Sequence, residues 1–130
     1  MVRKRQMAKI LIIEPDNLLL KQYSTVLSEV GHEVRGVGNA QAAILAADKS
    51  SPDLVILEPL LATHSGMEFL YEFRSYAEWQ NTPIIILSRI TPEELGLNAA
   101  IRQNLHIHMV LYKTETSLKK LVSSVQETLE

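Results

Sequence analysis

Residues 53–60 read Asp-Leu-Val-Ile-Leu-Glu-Pro-Leu. A short apolar run of this kind fits a strand buried on both faces. It ends on a carboxylate, Glu58, and burying a charge is costly unless the charge is paired. Residues 10–16, Ile-Leu-Ile-Ile-Glu-Pro-Asp, repeat the pattern with Glu14, Pro15 and Asp16. Two hydrophobic strands tipped with carboxylates in one small chain point to one acidic site.

Three more runs extend the pattern: Glu-Val-Arg-Gly-Val (33–37), Pro-Ile-Ile-Ile-Leu (83–87) and Ile-His-Met-Val-Leu (107–111). The first contains Arg35 and is expected at an exposed edge. Segments of helical spacing lie between them. Leu19, Tyr23, Val26, Leu27 and Val30 form a stripe that stops at Gly31. Asn39 is placed to cap a helix carrying Ala43, Ile44 and Ala47. Leu70, Phe73 and Ala77 mark a third helix. Thr91-Pro92-Glu93-Glu94 opens a fourth, with Leu97, Ala100 and Ile101 on its stripe. Leu118, Leu121, Val122, Val125 and Leu129 mark the fifth, with Thr114 or Thr116 as its expected cap. Five alternating β and α segments predict an open, doubly wound parallel sheet with five helices on its two faces.

The totals agree with one such domain. The chain has 130 residues, 46% hydrophobic and 22% charged, with a net charge of −2 and no cysteine. Disulfides, thiolate metal sites and a cysteine nucleophile are excluded, and a reducing, cytoplasmic compartment is expected. No apolar run approaches the length of a membrane span. The charge balance gives no global attraction to nucleic acid. Residues 1–8, with Arg3, Lys4 and Arg5, read as a flexible basic tail, and residues 9–130 as the domain. The last helix reaches the end of the chain, so no output domain is expected within it.

In doubly wound sheets the site lies beyond the carboxyl ends of the strands. That rule collects Glu14, Pro15 and Asp16 after strand one, Glu58 after strand three, Ser88 and Arg89 after strand four, and Lys113 after strand five. Carboxylates, a hydroxyl and an ammonium suit a divalent cation or a phosphoryl group. Each residue also has a plainer reading. Asp16 can cap the helix that starts near Asn17. Ser88 can bond its own loop backbone. His106 and His108 lack a third ligand and read as strand-edge residues sharing a face. His64 reads as an exposed loop histidine, and Trp79 as packing over the loop into strand four.

The stretches ILIIEPD, PDLVILEPLLATHSGMEFL, TPIIILSRI and MVLYKTETSLKKL occur in the order found in receiver domains of two-component response regulators. From about Lys9 to Leu129 the chain resembles that family, and Gly66, eight residues after Glu58, also fits. The resemblance implies a flavodoxin-like strand order 2-1-3-4-5. It implies a signalling module rather than an enzyme, partnered by a histidine kinase or an output protein. It also implies a dimer or target face on the fourth helix, strand five and the fifth helix. In the family, Ser88 and Lys113 would stand at phosphate and switch positions, and Glu14 at the first acid.

The departures from the family pattern carry consequences. Glu58 stands where receivers have the phosphoacceptor Asp, and Pro15 where they have a principal Mg²⁺ ligand. Thr114 replaces a proline, and Val110 the usual aromatic. Glu58 is longer than Asp by about 1.5 Å, and a misplacement of about 1 Å can cost on the order of a hundredfold in rate. Weak Mg²⁺ binding, no required cofactor and little phosphorylation are therefore expected. The longer carboxylate can instead reach Lys113 directly, where a regulated phosphoryl group would sit. This reading is a pseudo-receiver that works by protein contact. The alternative is an active acceptor with Glu58 as nucleophile and Glu14, Asp16 and Glu58 around Mg²⁺. A flavin-binding domain of similar topology is disfavoured, because the carboxylates of Glu-Pro-Asp-Asn repel a phosphate.

Overall fold

The computed structural model describes residues 7–61 and 65–130. The basic residues Arg3, Lys4 and Arg5 and the loop residue His64 lie outside the described residues. Five strands form one parallel sheet: β1 (Lys9–Ile13), β2 (Glu33–Val37), β3 (Leu54–Leu57), β4 (Ile84–Ser88) and β5 (Ile107–Tyr112), in the order β2-β1-β3-β4-β5. The order and the parallel pairing agree with the expectation. So does the exposed edge strand: β2 has no fully buried residue, whereas β3 and β4 are buried throughout.

Alternation along the strands builds two cores. Leu11, Ile13, Val55, Leu57, Ile84 and Ile86 face one side, against α2 (Ala40–Lys49) and α3 (Gly66–Ser75). Ile10, Ile12, Leu54, Ile56, Ile85 and Leu87 face the other, against α1 (Asn17–Glu29) and the C-terminal helix (Leu118–Leu129). A strand buried on both faces has no polar side to show, which explains the near-continuous apolar runs.

The helix count differs from the expected five. The β4–β5 connection holds two short helices, α4 (Pro92–Leu95) and α5 (Ala99–Asn104), so the C-terminal helix is α6. The break has a local cause. Thr91 and Glu94 form a reciprocal capping box at the start of α4, and Gly96 ends it in the left-handed region at φ 71°. Asn98 then caps α5 through the Ile101 N–H. Leu97, in the break, turns into the core, while Ala100 is exposed.

Three smaller expectations also change. Helix α3 stops at Ser75, so Ala77 lies in a 3₁₀ turn (Ala77–Trp79) instead of on the helical stripe. The cap of α6 is Ser117, whose hydroxyl accepts from Lys120 N–H. Thr116 donates its hydroxyl to the Tyr112 carbonyl instead. His106 precedes β5, at φ 53°, and only His108 lies within the strand.

Other local readings hold. Gly31 follows α1 at φ 100°. Asp16 and Asn39 cap α1 and α2. Trp79 is buried and stacks on Phe73 with ring centroids 4.9 Å apart.

Arg74, in the last turn of α3, joins three segments. Its Nε donates to the Leu105 carbonyl at 2.8 Å, Nη1 to Trp79 at 2.6 Å and Nη2 to His106 at 3.0 Å. One guanidinium thus donates to carbonyls of the 3₁₀ turn and of the α5–β5 turn, and the Trp79 carbonyl also accepts from Thr82 N–H at 3.4 Å. We expect Arg74→Met to lose about 2–4 kcal/mol of stability, because three hydrogen bonds from a charged group are lost and the part-buried Leu105 carbonyl loses its donor. Urea unfolding followed by far-UV circular dichroism measures this, and a loss below ~0.5 kcal/mol would refute the clamp.

Candidate functional site

The strand register assembles the site. Ile13 pairs with Leu57, so the residues just beyond, Glu14 and Glu58, leave the sheet side by side. Their backbones stay in the ladder: Glu14 N–H donates to Val37 and Glu58 N–H to Ile13, both at 2.9 Å. Ser88 pairs with Tyr112, which brings Lys113 to the same rim.

Both glutamates are buried, each 2% exposed. Lys113 Nζ lies 2.7 Å from Glu14 Oε1 and 2.8 Å from Glu58 Oε1. The direct Glu58–Lys113 contact reasoned from chain length is therefore present, and Glu14 shares the same ammonium. The remaining valences are filled by backbone. Asp16 N–H donates to Glu14 Oε2 at 3.0 Å, Leu60 N–H to Glu58 Oε2 at 2.9 Å and Arg89 N–H to Glu58 Oε1 at 3.0 Å. Every oxygen of the two carboxylates thus has a partner, as buried charges require.

The other expected residues are placed differently. Asp16 is exposed, and its Oδ1 accepts from Leu18 and Leu19 N–H, so its side chain serves the start of α1. Ser88 is fully buried, and its hydroxyl accepts from Ile90 N–H at 3.1 Å, which is its plainer loop-bonding role. Pro15 is exposed at the rim and brings no donor. Above the two glutamates and Lys113 lies an open cleft of about 450 Å³, edged by Pro15, Asp16, Arg89 and the leucines 19, 60 and 61.

The receiver resemblance raises the question of Mg²⁺, and the residues present do not fit it. Among the described residues no group of three or more His, Asp or Glu side chains is placed to hold a metal. The alternative ligand set Glu14, Asp16 and Glu58 therefore does not assemble. Two of its members hold Lys113, and the third caps a helix.

Gly66 shapes the loop that follows Glu58. Its N–H donates to the Pro59 carbonyl at 2.8 Å, and a Cβ there would stand 2.5 Å from Pro59 Cα. Only glycine allows that approach without moving the residue next to Glu58.

Tyr23 is a neighbour that sequence reasoning placed only in the core. It lies on the α1 face toward the acidic rim and is 7% exposed. Its pKa is pushed up to about 12, first by burial and then by the charges of Glu14, Glu58 and Asp16. The helical stripe marked Tyr23 as buried, but no pattern in the sequence could signal its distance from two strand ends.

Two outcomes follow. Lys113→Met leaves two buried carboxylates without their cation and should cost about 3–5 kcal/mol at neutral pH, measured by urea unfolding. Tyr23 has a folded pKa above its ordinary value of 10.0, so its contribution to stability is complete below pH 10 and is lost as pH rises toward 12. Stability curves between pH 9 and 12 should fall for the parent chain and flatten for Tyr23→Phe. An absorbance titration at 295 nm should show one late-ionising tyrosine that Tyr23→Phe removes.

Comparison with known proteins agrees with this architecture. The family model of the response regulator receiver domain matches residues 10–126. Sensory transduction protein BceR of Halalkalibacterium halodurans is 27% identical over 128 residues, covering 93% of this chain and 54% of its own length. The KDP operon transcriptional regulatory protein KdpE of Escherichia coli is 31% identical over 87 residues, covering 67% of this chain and 37% of its own length. The chain thus spans about a third to a half of these curated relatives. Chemotaxis protein CheY4 of Vibrio cholerae superposes with a TM-score of 0.83 at 23% identity, covering 95% of this chain and 99% of its own, a likeness that shows the fold. With the matched segment running through nearly the whole sheet and its helices, the chain belongs to the response regulator receiver domain family.

Proposed function

We propose that this chain is a pseudo-receiver: a signalling module of the two-component type that works through protein contact without being phosphorylated. The observation that carries the reading is the state of Glu58. Its carboxylate is buried, and both oxygens are already held by Lys113 and by two loop N–H groups.

A phosphoacceptor must present one oxygen in line to phosphorus, with cations ready for the equatorial charge. Here the nucleophile's position holds a carboxylate that faces back to the lysine. The cation that would receive phosphoryl oxygens is shared by two glutamates. The Arg89 N–H that caps Glu58 Oε1 ties the end of β3 to the loop after β4. That tie supports a fixed arrangement of the rim in place of a switched one.

The functional consequences belong to the same proposal. The partner is a protein, either a histidine kinase or an output protein, and contact runs over α4, α5, β5 and α6, the face on which the chain could also pair with a second copy. The module binds no nucleic acid itself, catalyses no reaction of its own and acts in the cytoplasm. Among the described residues no helix is long and apolar enough to cross a membrane.

The test is incubation with a small acyl-phosphate donor and Mg²⁺, followed by intact mass. The parent chain should stay unmodified. Pro15→Asp combined with Glu58→Asp should acquire a phosphoryl adduct, because it restores an oxygen ligand and shortens the acceptor. An adduct on the parent chain, lost in Glu58→Gln, would establish the rival reading with Glu58 as a working nucleophile.

A further inference from the structure

A second group of side chains lies at the opposite end of β5 from the acidic rim. His108 and Lys113 are five residues apart, about 16 Å along a strand. His106 and His108 are both exposed, and the residue between them, Ile107, is buried. Both histidines line one surface cleft of about 300 Å³, together with Asn81 and Pro83. Neither imidazole is taken up by a hydrogen bond or ion pair within the described residues.

The backbone here is irregular on both sides of Ile107. His106 is the one non-glycine residue with positive φ among the described residues, at 53°. The β4–β5 register runs from Ile84↔Ile107 to Ile85↔Met109, so His108 is the extra residue of a bulge. Bulges and left-handed residues re-aim side chains and persist where surrounding contacts hold them. Arg74 supplies such contacts. Its guanidinium binds the carbonyls of Leu105 and His106, while His106 N–H donates to Gln103 at 3.2 Å. The Arg74 charge is thereby spent on carbonyls.

We propose that His106 and His108 form a chelating pair for a borderline divalent transition ion, with zinc as the representative. Imidazole nitrogens suit such ions, whereas Mg²⁺ and Ca²⁺ require oxygen. Two protein nitrogens leave other positions to water, and Asn81 is a further polar residue lining the same cleft. The pair is separate from the acidic rim and does not depend on the proposal made for it.

The experiment is calorimetric titration of the full chain, free of any polyhistidine tag, with zinc chloride. The parent should bind one zinc ion per chain. His106→Asn keeps a residue that tolerates positive φ, and His108→Thr keeps a strand-forming residue. Each single change should weaken binding by about tenfold or more, because a chelate loses its second arm. The double change should do little further harm, and His64→Ala should leave affinity unchanged. Far-UV circular dichroism confirms that each variant is folded. Absence of binding at millimolar zinc, losses of twofold or less for each histidine, or a loss that follows His64 would each overturn the proposal.

Discussion

One ammonium shared by two buried carboxylates is the constraint on which the rim of this molecule depends. Lys113 lies within 2.8 Å of both Glu14 and Glu58, and the three residues end three different strands. Such a group survives burial only if each polar atom is paired, since removing charge from water costs several kcal/mol per ion. Backbone N–H groups of Asp16, Leu60 and Arg89 complete the pairing. The loops after β1, β3 and β4 therefore cannot relax independently, because each donates to the same small group.

The sheet makes this possible by bringing strand ends into step. Parallel pairing of Ile13 with Leu57 and of Ser88 with Tyr112 puts sequence-distant residues on one edge. The apolar alternation below them fills two cores and gives the rim a rigid base. Helix α1 brings Tyr23 within the influence of the same acids, where burial and like charge resist formation of a phenolate. At the rim the Glu58 side chain lies against the lysine, with its Oε1 2.8 Å from Lys113 Nζ.

Away from the rim the chain relies on local devices whose outcome depends on context. The β4–β5 connection was legible as a helix start at Thr91-Pro92, and that start is correct. Its interruption was less legible, although Gly96 and Asn98 carry stop and start chemistry. Leu97 fits a helical stripe equally well, and only its place in the core selects the break. The cap of α6 was misread for a similar reason: Thr114, Thr116 and Ser117 can all cap, and the Tyr112 carbonyl claims Thr116.

Sequence alone determined the alternation of strands and helices, the exposed edge strand and the residues gathered at the carboxyl edge. Those features follow from local periodicity and from the rule that a parallel sheet buries both faces. The reach of Glu58 to Lys113 was also legible, because it rests on side-chain length. Tertiary structure decided how each residue is used. It committed Asp16 to a helix cap, turned Ser88 to its own loop, gave Glu14 a share of Lys113 and set His106 and His108 around a bulge. A sequence names the donors and acceptors, but each hydrogen-bonding group can satisfy only a few partners at once, and folding settles which it keeps.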